Sequence, residues 1–158
     1  QLGCDVVLTP AIPAAGDPHR SDPVIQDAVR AFTDGIGVDV AMEMAGFNSS
    51  LNNAIKVTRR GGDVVLFGVK NGDAVIEDSH RIVMDGLQLH GVVGRQIFGT
   101  WEITRNLLET CSNGIQDAVW DVILNRGEGT MVDLDDWEPS SFEAAIKHHP
   151  KVVIRFAG

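Results

Sequence analysis

Four short apolar runs, each followed closely by a glycine or proline, constrain the fold of this chain more than any other feature. They occupy residues 5–9 (DVVLT), 38–44 (VDVAMEM), 63–67 (DVVLF) and 87–93 (LQLHGVV). Segments with helical periodicity lie between them, and strands that alternate with such helices indicate β-α units in a mostly parallel sheet. Nearly continuous apolar strands are expected where helices cover both faces of the sheet. The sequence therefore predicts an α/β fold.

The helix starts and ends are predicted from capping residues and periodicity. Pro23 suits the first turn of a helix that Ser21 or Asp22 would cap, with apolar residues at positions 25, 28, 29 and 32. Asn48 would cap a second helix that runs to Thr58. Residues 59–62 (RRGG) are predicted to form the turn into the third strand. The remaining predicted elements are helices at 79–84, 100–111, 115–123 and 141–148, an extended piece at 131–134, and a closing strand at 152–156.

Composition limits the possible partners. The chain has 158 residues, of which 44% are hydrophobic and 22% charged, which is typical of one globular domain with a core. Its net charge of −9 argues against binding to nucleic acid or to anionic membranes. No apolar run approaches the roughly 20 residues that span a bilayer, and Cys4 and Cys111 lack a metal-ligand or disulfide pattern. We therefore expect a cytoplasmic protein whose two cysteines are reduced and lie in the core.

The strand ends are the candidate binding positions, because ligands of open α/β sheets bind beyond the carboxyl ends of the strands. The segments concerned are 45–47, 68–70 and 92–95. Glycines at these ends either let the backbone approach a flat ligand or serve only as turn residues, and both interpretations stay open. A GxGxxG fingerprint is absent from the sequence; residues 34–37 (DGIG) precede a strand, and residues 127–129 (GEG) are an isolated loop.

The sequence predicts neither a metal site nor a catalytic residue in this chain. None of its histidines has a partner at metal-ligand spacing, and His148 and His149 suit the end of a helix. The acidic residues Asp133, Asp135 and Asp136 lack the glycine and terminal glutamate of an EF-hand loop, so a solvated acidic turn is expected there. No Ser-His-Asp or Cys-His arrangement is apparent.

Three stretches, GVDVAMEMAG, RRGGDVVLFGV and LHGVVGRQIFGTW, resemble the nucleotide-binding domain of zinc-type medium-chain dehydrogenases, and most closely the threonine 3-dehydrogenase-like subgroup. The matching patterns are G-x-D-V-x-x-E-x-x-G, G-G-x-x-x-x-x-G and G-x-x-G-R-x-x-x-x-T-W, in the order and at the separations of the family. The resemblance covers most of residues 1–110 and continues more loosely to HPKVVIRF near the end.

The resemblance implies an NAD or NADP cofactor. It places Phe67, Gly68 and Val69 along the nicotinamide side of the cofactor. It also implies that Val92 and Val93 offer backbone groups to the carboxamide. Planar nicotinamide needs apolar walls and main-chain donors, so these residue types suit the role.

The resemblance implies three further cofactor contacts. Ala45 and Gly46 would pack near the cofactor ribose, and Lys151 would lie near the pyrophosphate, where a cation is favourable. Arg95 and Trp101 match the motif of the subgroup, and either the active-site cleft or a subunit contact could hold them.

The chain also departs from the family. The family's zinc-binding catalytic domain is missing, as are the first two strands of its nucleotide-binding domain with the phosphate loop. We therefore expect a partial Rossmann-like fold in which strand 5–9 lacks its neighbour and strand 38–44 exposes an edge. Zinc is expected only in the absent N-terminal domain. The predicted domains are a truncated nucleotide-binding domain at 1–112 and a C-terminal segment at 113–158 in the same compact unit.

Two hypotheses about function follow from this resemblance. In the first, the full-length protein oxidises a secondary alcohol, threonine-like or a polyol, by zinc-assisted hydride transfer to NAD(P), and the fragment alone is inactive. The protein would form a homodimer or tetramer through the edge strands after residue 87. In the second, the chain is a non-catalytic module for dimerisation or nucleotide binding. The sequence upstream of Gln1 would distinguish the two hypotheses.

Overall fold

The computed structural model describes residues 3–94 and 96–156. Its chain divides into two compact units, one formed by Val7–Gly94 and the other by the described residues within Gln1–Val6 and Arg95–Gly158. The units divide close to residue 94, whereas the sequence predicted a boundary at residue 112 within a single unit. The assignment of domains to 1–112 and 113–158 stays a prediction.

The unit Val7–Gly94 is built from β-α units around a three-stranded sheet. Its elements are α1 (Pro23–Phe32), β1 (Val38–Glu43), α2 (Asn48–Val57), β2 (Thr58–Leu66), α3 (His80–Met84) and β3 (Gln88–Gly91). The strands are parallel and lie in the order β1-β2-β3. The predicted α/β fold with a parallel sheet is confirmed.

Helix α1 begins as the sequence predicts. Asp22 is its N-cap, and the carboxylate accepts a hydrogen bond from Val24 N at 2.9 Å. Pro23 occupies the first turn, where its missing N–H has no cost. The second carboxylate oxygen of Asp22 accepts from Ala11 N at 2.7 Å. One side chain therefore both starts the helix and holds the preceding loop.

The core of this unit lies between α2 and one face of the sheet. Its buried apolar side chains are Ala41, Leu51, Ala54, Ile55, Val64 and Leu87. Ala41, Val64 and Leu89 are paired across the three strands and share the covered face. On the other face, Val40 and Met42 are 51% and 62% exposed. The expectation that helices cover both faces is therefore wrong at β1.

The predicted first strand is absent: residues 5–9 form no strand in the structure. Val6 and Val7 are 51% and 68% exposed, so the run is not buried either. A β-branched run forms a strand only when a neighbouring strand satisfies its backbone hydrogen bonds. Within the described part of the chain this segment has none.

Helix α2 does not have the predicted cap. Phe47 is the N-cap, and Asn48 is the first helical residue. The Asn48 side-chain oxygen instead accepts a hydrogen bond from Val75 N at 3.0 Å. A partner 27 residues away thus takes the role that the local pattern assigned to the helix start.

The predicted turn at 59–62 lies within β2 as a bulge. Val38 pairs with Thr58 and Val40 pairs with Asp63, so two steps along β1 (38 to 40) correspond to five along β2 (58 to 63), which leaves three extra residues. A Cβ atom on Gly62 would lie 2.6 Å from Thr58 Cγ2 and 2.8 Å from the Asp39 carbonyl oxygen. Only glycine fits there, which fixes the position of the bulge.

The other unit contains shorter elements. They are α4 (Gly99–Glu109), α5 (Ile115–Ala118), β4 (Met131–Asp133), α6 (Pro139–His148) and β5 (Val153–Arg155). The strands β4 and β5 form a parallel pair. Helix α5 continues into a π-helical turn at Val119–Ile123, so the predicted helix 115–123 changes its winding. Helix α6 ends at His148, as predicted.

Both cysteines are free and exposed, so the prediction that Cys4 and Cys111 lie in the core is wrong. Their segments contribute nothing to the cluster of buried residues around Ile55. Among the helices that the structure describes, none is long and apolar enough to cross a membrane.

Candidate functional site

The carboxyl ends of the three strands lie side by side. Phe67 N and Gly68 N donate to the carbonyl oxygen of Glu43 at 2.9 Å and 3.0 Å, and Val92 N donates to that of Leu66 at 2.9 Å. The segments that follow β1, β2 and β3 therefore meet at one edge of the sheet. This is the placement expected for seven of the eight predicted cofactor-binding residues.

Glu43 organises the turn that follows β1, and sequence reasoning missed it. Its side chain is 5% exposed. One carboxylate oxygen accepts from Ala45 N at 2.9 Å, from Gly46 N at 2.8 Å and from Ser50 Oγ at 2.6 Å. The signal in the sequence was an acidic residue at an inward-facing position of the run VDVAMEM.

Two glycines allow the turns after β1 and β2 to touch. A Cβ atom on Gly68 would lie 2.2 Å from Gly46 N, and one on Gly46 would lie 2.6 Å from the Val69 carbonyl oxygen. Gly46 also has a φ of +75°, which side chains disfavour. At these two positions the glycines serve the contact between neighbouring turns.

A cavity of about 950 Å³ opens at this edge of the sheet. Ala45, Gly46 and Val69 line it from the strand ends, and the proline- and alanine-rich loop 10–15 forms the opposite wall. The cations Arg20 and Lys70 also line it. Apolar walls with a few polar groups are typical of sites that bind small organic ligands. The carboxylate of Asp22 lines the cavity together with the two cations.

The wall of the cavity is held by a buried amide. Asn52 is completely buried, and its side-chain nitrogen donates to the carbonyl oxygens of His19 at 2.7 Å and Val75 at 2.9 Å. Its side-chain oxygen accepts from Glu77 N at 2.9 Å. The two loops beside α2 are therefore fixed by one side chain with every hydrogen-bonding atom in use.

An ion-pair cluster strengthens the same region. Lys56 Nζ lies 2.7 Å from a Glu77 oxygen and 3.2 Å from an Asp78 oxygen, and Ser21 Oγ donates to Glu77 at 2.6 Å. Burial raises the pKa of Glu77, but hydrogen bonds from Lys56 and Ser21 outweigh it and the pKa is lowered. Burial lowers the pKa of Lys56, while the two carboxylates more than compensate and raise it.

Four predicted contacts of this unit, Phe67, Gly68, Val92 and Val93, do not line the cavity. Phe67, Val92 and Val93 follow their strands with 47%, 46% and 95% exposure. Lys151 belongs to the other unit, where it is exposed before β5. Arg95 lies outside the described residues.

Trp101, which the resemblance assigned to either the active-site cleft or a subunit contact, lies in α4. Trp101 packs edge-to-face against Phe98, with ring centroids 6.1 Å apart. No group of three histidine, cysteine, aspartate or glutamate side chains that could hold a metal ion occurs at residues 3–94 and 96–156.

Known proteins resemble this chain over most of its length. A family model described as zinc-binding dehydrogenase matches residues 1–113. The L-threonine 3-dehydrogenase of Symbiobacterium thermophilum is 33% identical over 84% of this chain and 34% of its own length. That of Thermococcus kodakarensis is 32% identical over 70% of this chain and 29% of its own length. The chain thus spans about a third of the relatives it matches.

Solved structures agree with this family. The 2R,3R-butanediol dehydrogenase of Bacillus subtilis superposes with a TM-score of 0.58 at 25% identity, over 85% of this chain and 35% of that one. An alcohol dehydrogenase of Thermotoga maritima has a TM-score of 0.65 at 17% identity, over the same shares, and supports the fold alone. The family match over residues 1–113 and the sequence relatives agree with the resemblance seen in the three sequence stretches. This chain belongs to the zinc-binding dehydrogenase family.

Proposed function

We propose that this chain forms part of the cofactor site of an NAD(P)-dependent dehydrogenase that oxidises a secondary alcohol. The observation that carries the proposal is the cavity at the carboxyl ends of β1 and β2, where Ala45, Gly46 and Val69 face the apolar loop 10–15. Ligands of parallel α/β sheets bind at this edge. The cavity volume and its apolar lining with a few polar and charged groups fit part of a dinucleotide.

In this proposal the strand ends hold the nicotinamide side of the cofactor. Phe67, Gly68 and Val69 supply an apolar wall after β2, and Val92 and Val93 offer backbone groups to the carboxamide. Exposed apolar side chains at 67, 69, 92 and 93 leave that wall open to a ligand. When bound, the cofactor accepts the hydride.

Ala45 and Gly46 would contact the cofactor ribose. Glu43 would keep them in place through its bonds to their amides. Lys151 would contribute a cation near the pyrophosphate, which charged donors favour.

We propose that zinc is bound by the family's N-terminal catalytic domain, as the resemblance implies. The alcohol substrate is proposed to be threonine-like, in line with the name of the sequence relatives, or else a polyol. We also propose that the enzyme is cytoplasmic.

A hydride-transfer assay tests this function in the longer protein that contains the chain. Zinc is supplied, NAD and NADP are compared, and threonine, a polyol and a simple secondary alcohol serve as substrates. The expected result is an increase in reduced nicotinamide with at least one of them. Absence of turnover with all three under both cofactors would contradict the proposal.

The chain alone is expected to show no dehydrogenase activity and little NAD binding. Its sequence contains no glycine-rich phosphate loop, the helix start that normally holds the pyrophosphate. Calorimetry with NAD measures this directly. An affinity in the low micromolar range, about 10⁻⁶ M, would show that the retained cavity is sufficient by itself.

A second proposal concerns assembly. Strand β3 is an edge of the described sheet, and a parallel neighbour is present only on its β2 side. We propose that two copies join at this edge, because an unpaired edge is a template for another strand. Light scattering at high protein concentration should give the mass of a dimer or tetramer, and a monomer would count against it.

A further inference from the structure

A second concave surface lies at the opposite end of the sheet and has a very different charge. This cleft of about 510 Å³ is lined by the bulge of β2, the end of α2 and the turn before β1. Its cationic lining residues are Arg30, Lys56, Arg59, Arg60 and Arg81, and the carboxylate of Asp85 lines it too. The whole chain has 13 lysines and arginines against 22 acids, so five of the 13 converge on one cleft of an acidic protein.

The cations have different tasks. Arg81 is only 23% exposed and donates to the carbonyl oxygens of Ile55, Lys56 and Thr58 at 2.9–3.2 Å. It therefore satisfies the end of α2 and offsets the negative end of the helix dipole. Lys56 is 19% exposed and held by Glu77 and Asp78. Arg81 also pairs with Asp85 at 2.7 Å, so these two side chains are structural and neighbouring carboxylates compensate their charges.

The outer cations remain accessible. Arg60 is 87% exposed and contacts Asp85 at 3.2 Å. Arg59 is 38% exposed and contacts Asp39 at 2.5 Å. Arg30 is exposed in the last turn of α1. The Arg59–Asp39 pair is exposed on both sides, and exposed ion pairs contribute little in water. An anion with two charges can therefore compete for Arg59 and for the exposed guanidinium of Arg60.

The shape of the β2 bulge places two of these arginines side by side. It loops three extra residues out of the ladder and presents the adjacent Arg59 and Arg60 at the cleft. Gly61 has a φ of +67°, and Gly62 has no room for a Cβ atom, so the loop is built to keep this shape. Bulges often re-aim side chains beside binding sites.

We propose that this cleft binds a phosphate group through Arg59, Arg60 and Arg30, at a site separate from the cavity at the carboxyl ends of the strands. Arginine forks match the oxygens of phosphate and are the commonest choice for such recognition. The phosphate is either free or carried as a monoester by a small molecule.

Inorganic phosphate is the probe, titrated into the intact chain against sodium chloride at matched ionic strength, with amide chemical shifts as the readout. Saturable shifts are expected at residues 35–37 and 59–61. The variant R59Q/R60Q should weaken the affinity at least about ten-fold, as expected when two charge-assisted contacts are lost. The controls R126Q, an exposed paired arginine elsewhere, and K70Q, in the other cavity, should leave it unchanged.

Other outcomes overturn the proposal. The first is that sodium chloride produces the same chemical-shift changes, and the second is that the changes centre on Lys70. The third is that R59Q/R60Q binds phosphate with the affinity of the parent chain while its spectrum shows an intact fold. A second titration with glycerol phosphate separates the two sources of the group. Tighter binding than inorganic phosphate assigns a monoester, and equal or weaker binding assigns free phosphate.

Discussion

The two compact units differ in what stabilises them. All six buried apolar side chains of the core cluster, Ile55 and Val64 among them, lie in Val7–Gly94. In the described residues of the other unit, Thr130 is the buried side chain, and apolar residues such as Ile103 and Phe98 are 62% and 76% exposed. The first unit is therefore stabilised by apolar burial and the second by polar contacts and a two-stranded ladder. We predict from this difference that the two units respond separately to mutation.

The largest expected effect is that of Ile55→Ala. Ile55 is fully buried, and removing its side chain in a core without compensating repacking costs about 2–5 kcal/mol. Amide hydrogen exchange should show this loss in β1, β2 and β3 and leave β4 and β5 unchanged. The matched control Ile55→Val should cost only about 0.5–1.5 kcal/mol. An equal loss of protection in β4 and β5 would show that the two units unfold together.

Asn52→Ala should follow, with a smaller effect confined to the same unit. It leaves the carbonyl oxygens of His19 and Val75 and the amide of Glu77 without their buried partner. Leaving buried polar groups unsatisfied costs about 1–3 kcal/mol, which urea unfolding can measure. The control Asn53→Ala removes a single bond, to Asp22 N at 2.7 Å, and should cost about 1 kcal/mol. If Asn52→Ala lowered the free energy of unfolding by less than the control, Asn52 would not be the main side chain that stabilises the cavity wall.

The contrast between the units also explains what the sequence could predict. The strands at 38–44 and 87–93 were found within two residues, because their apolar runs are buried or paired in the sheet. The run at 63–67 matches only the second part of β2, which begins five residues earlier at Thr58. The run at 5–9 has the same composition but no neighbouring strand, so composition misled there. A pattern in the sequence predicts a strand only when the fold supplies its partner.

The sequence predicts which segments meet at the edge of the sheet, but not the hydrogen bonds that hold them there. The convergence of the segments after β1 and β2 follows from parallel strand topology. The roles of Asn52 and Glu43 do not, because each depends on backbone groups that only the folded chain brings near. Asn52 donates hydrogen bonds to His19 and Val75, which lie 33 and 23 positions away along the chain, and no local pattern encodes such contacts. Asn48 illustrates the same limit, since its distant partner replaced the expected cap.

The smallest effect is expected from Asp133→Asn in the other unit. Arg155 Nε and Nη2 donate to the two Asp133 oxygens at 2.5 Å and 2.7 Å across the ladder of β4 and β5. The hydrogen bond from Arg155 lowers the pKa of Asp133 below its usual range. Because the folded pKa lies below the unfolded one of about 3.9, the pair stabilises the unit above that pH. The contribution is lost as the pH falls through the folded pKa.

In the parent chain, the protection of β4 and β5 from amide exchange should therefore decrease as the pH falls through the folded pKa of Asp133. The Asp133→Asn variant should lack that decrease. Protection in β1, β2 and β3 should be the same in both proteins, since Asp133 belongs to the other unit. The pair is exposed to solvent, so the change should be much smaller than that of Ile55→Ala. If Asp133→Asn lowered protection in all five strands, this pair would be joining the two units, and the separate response inferred from their different cores would be wrong.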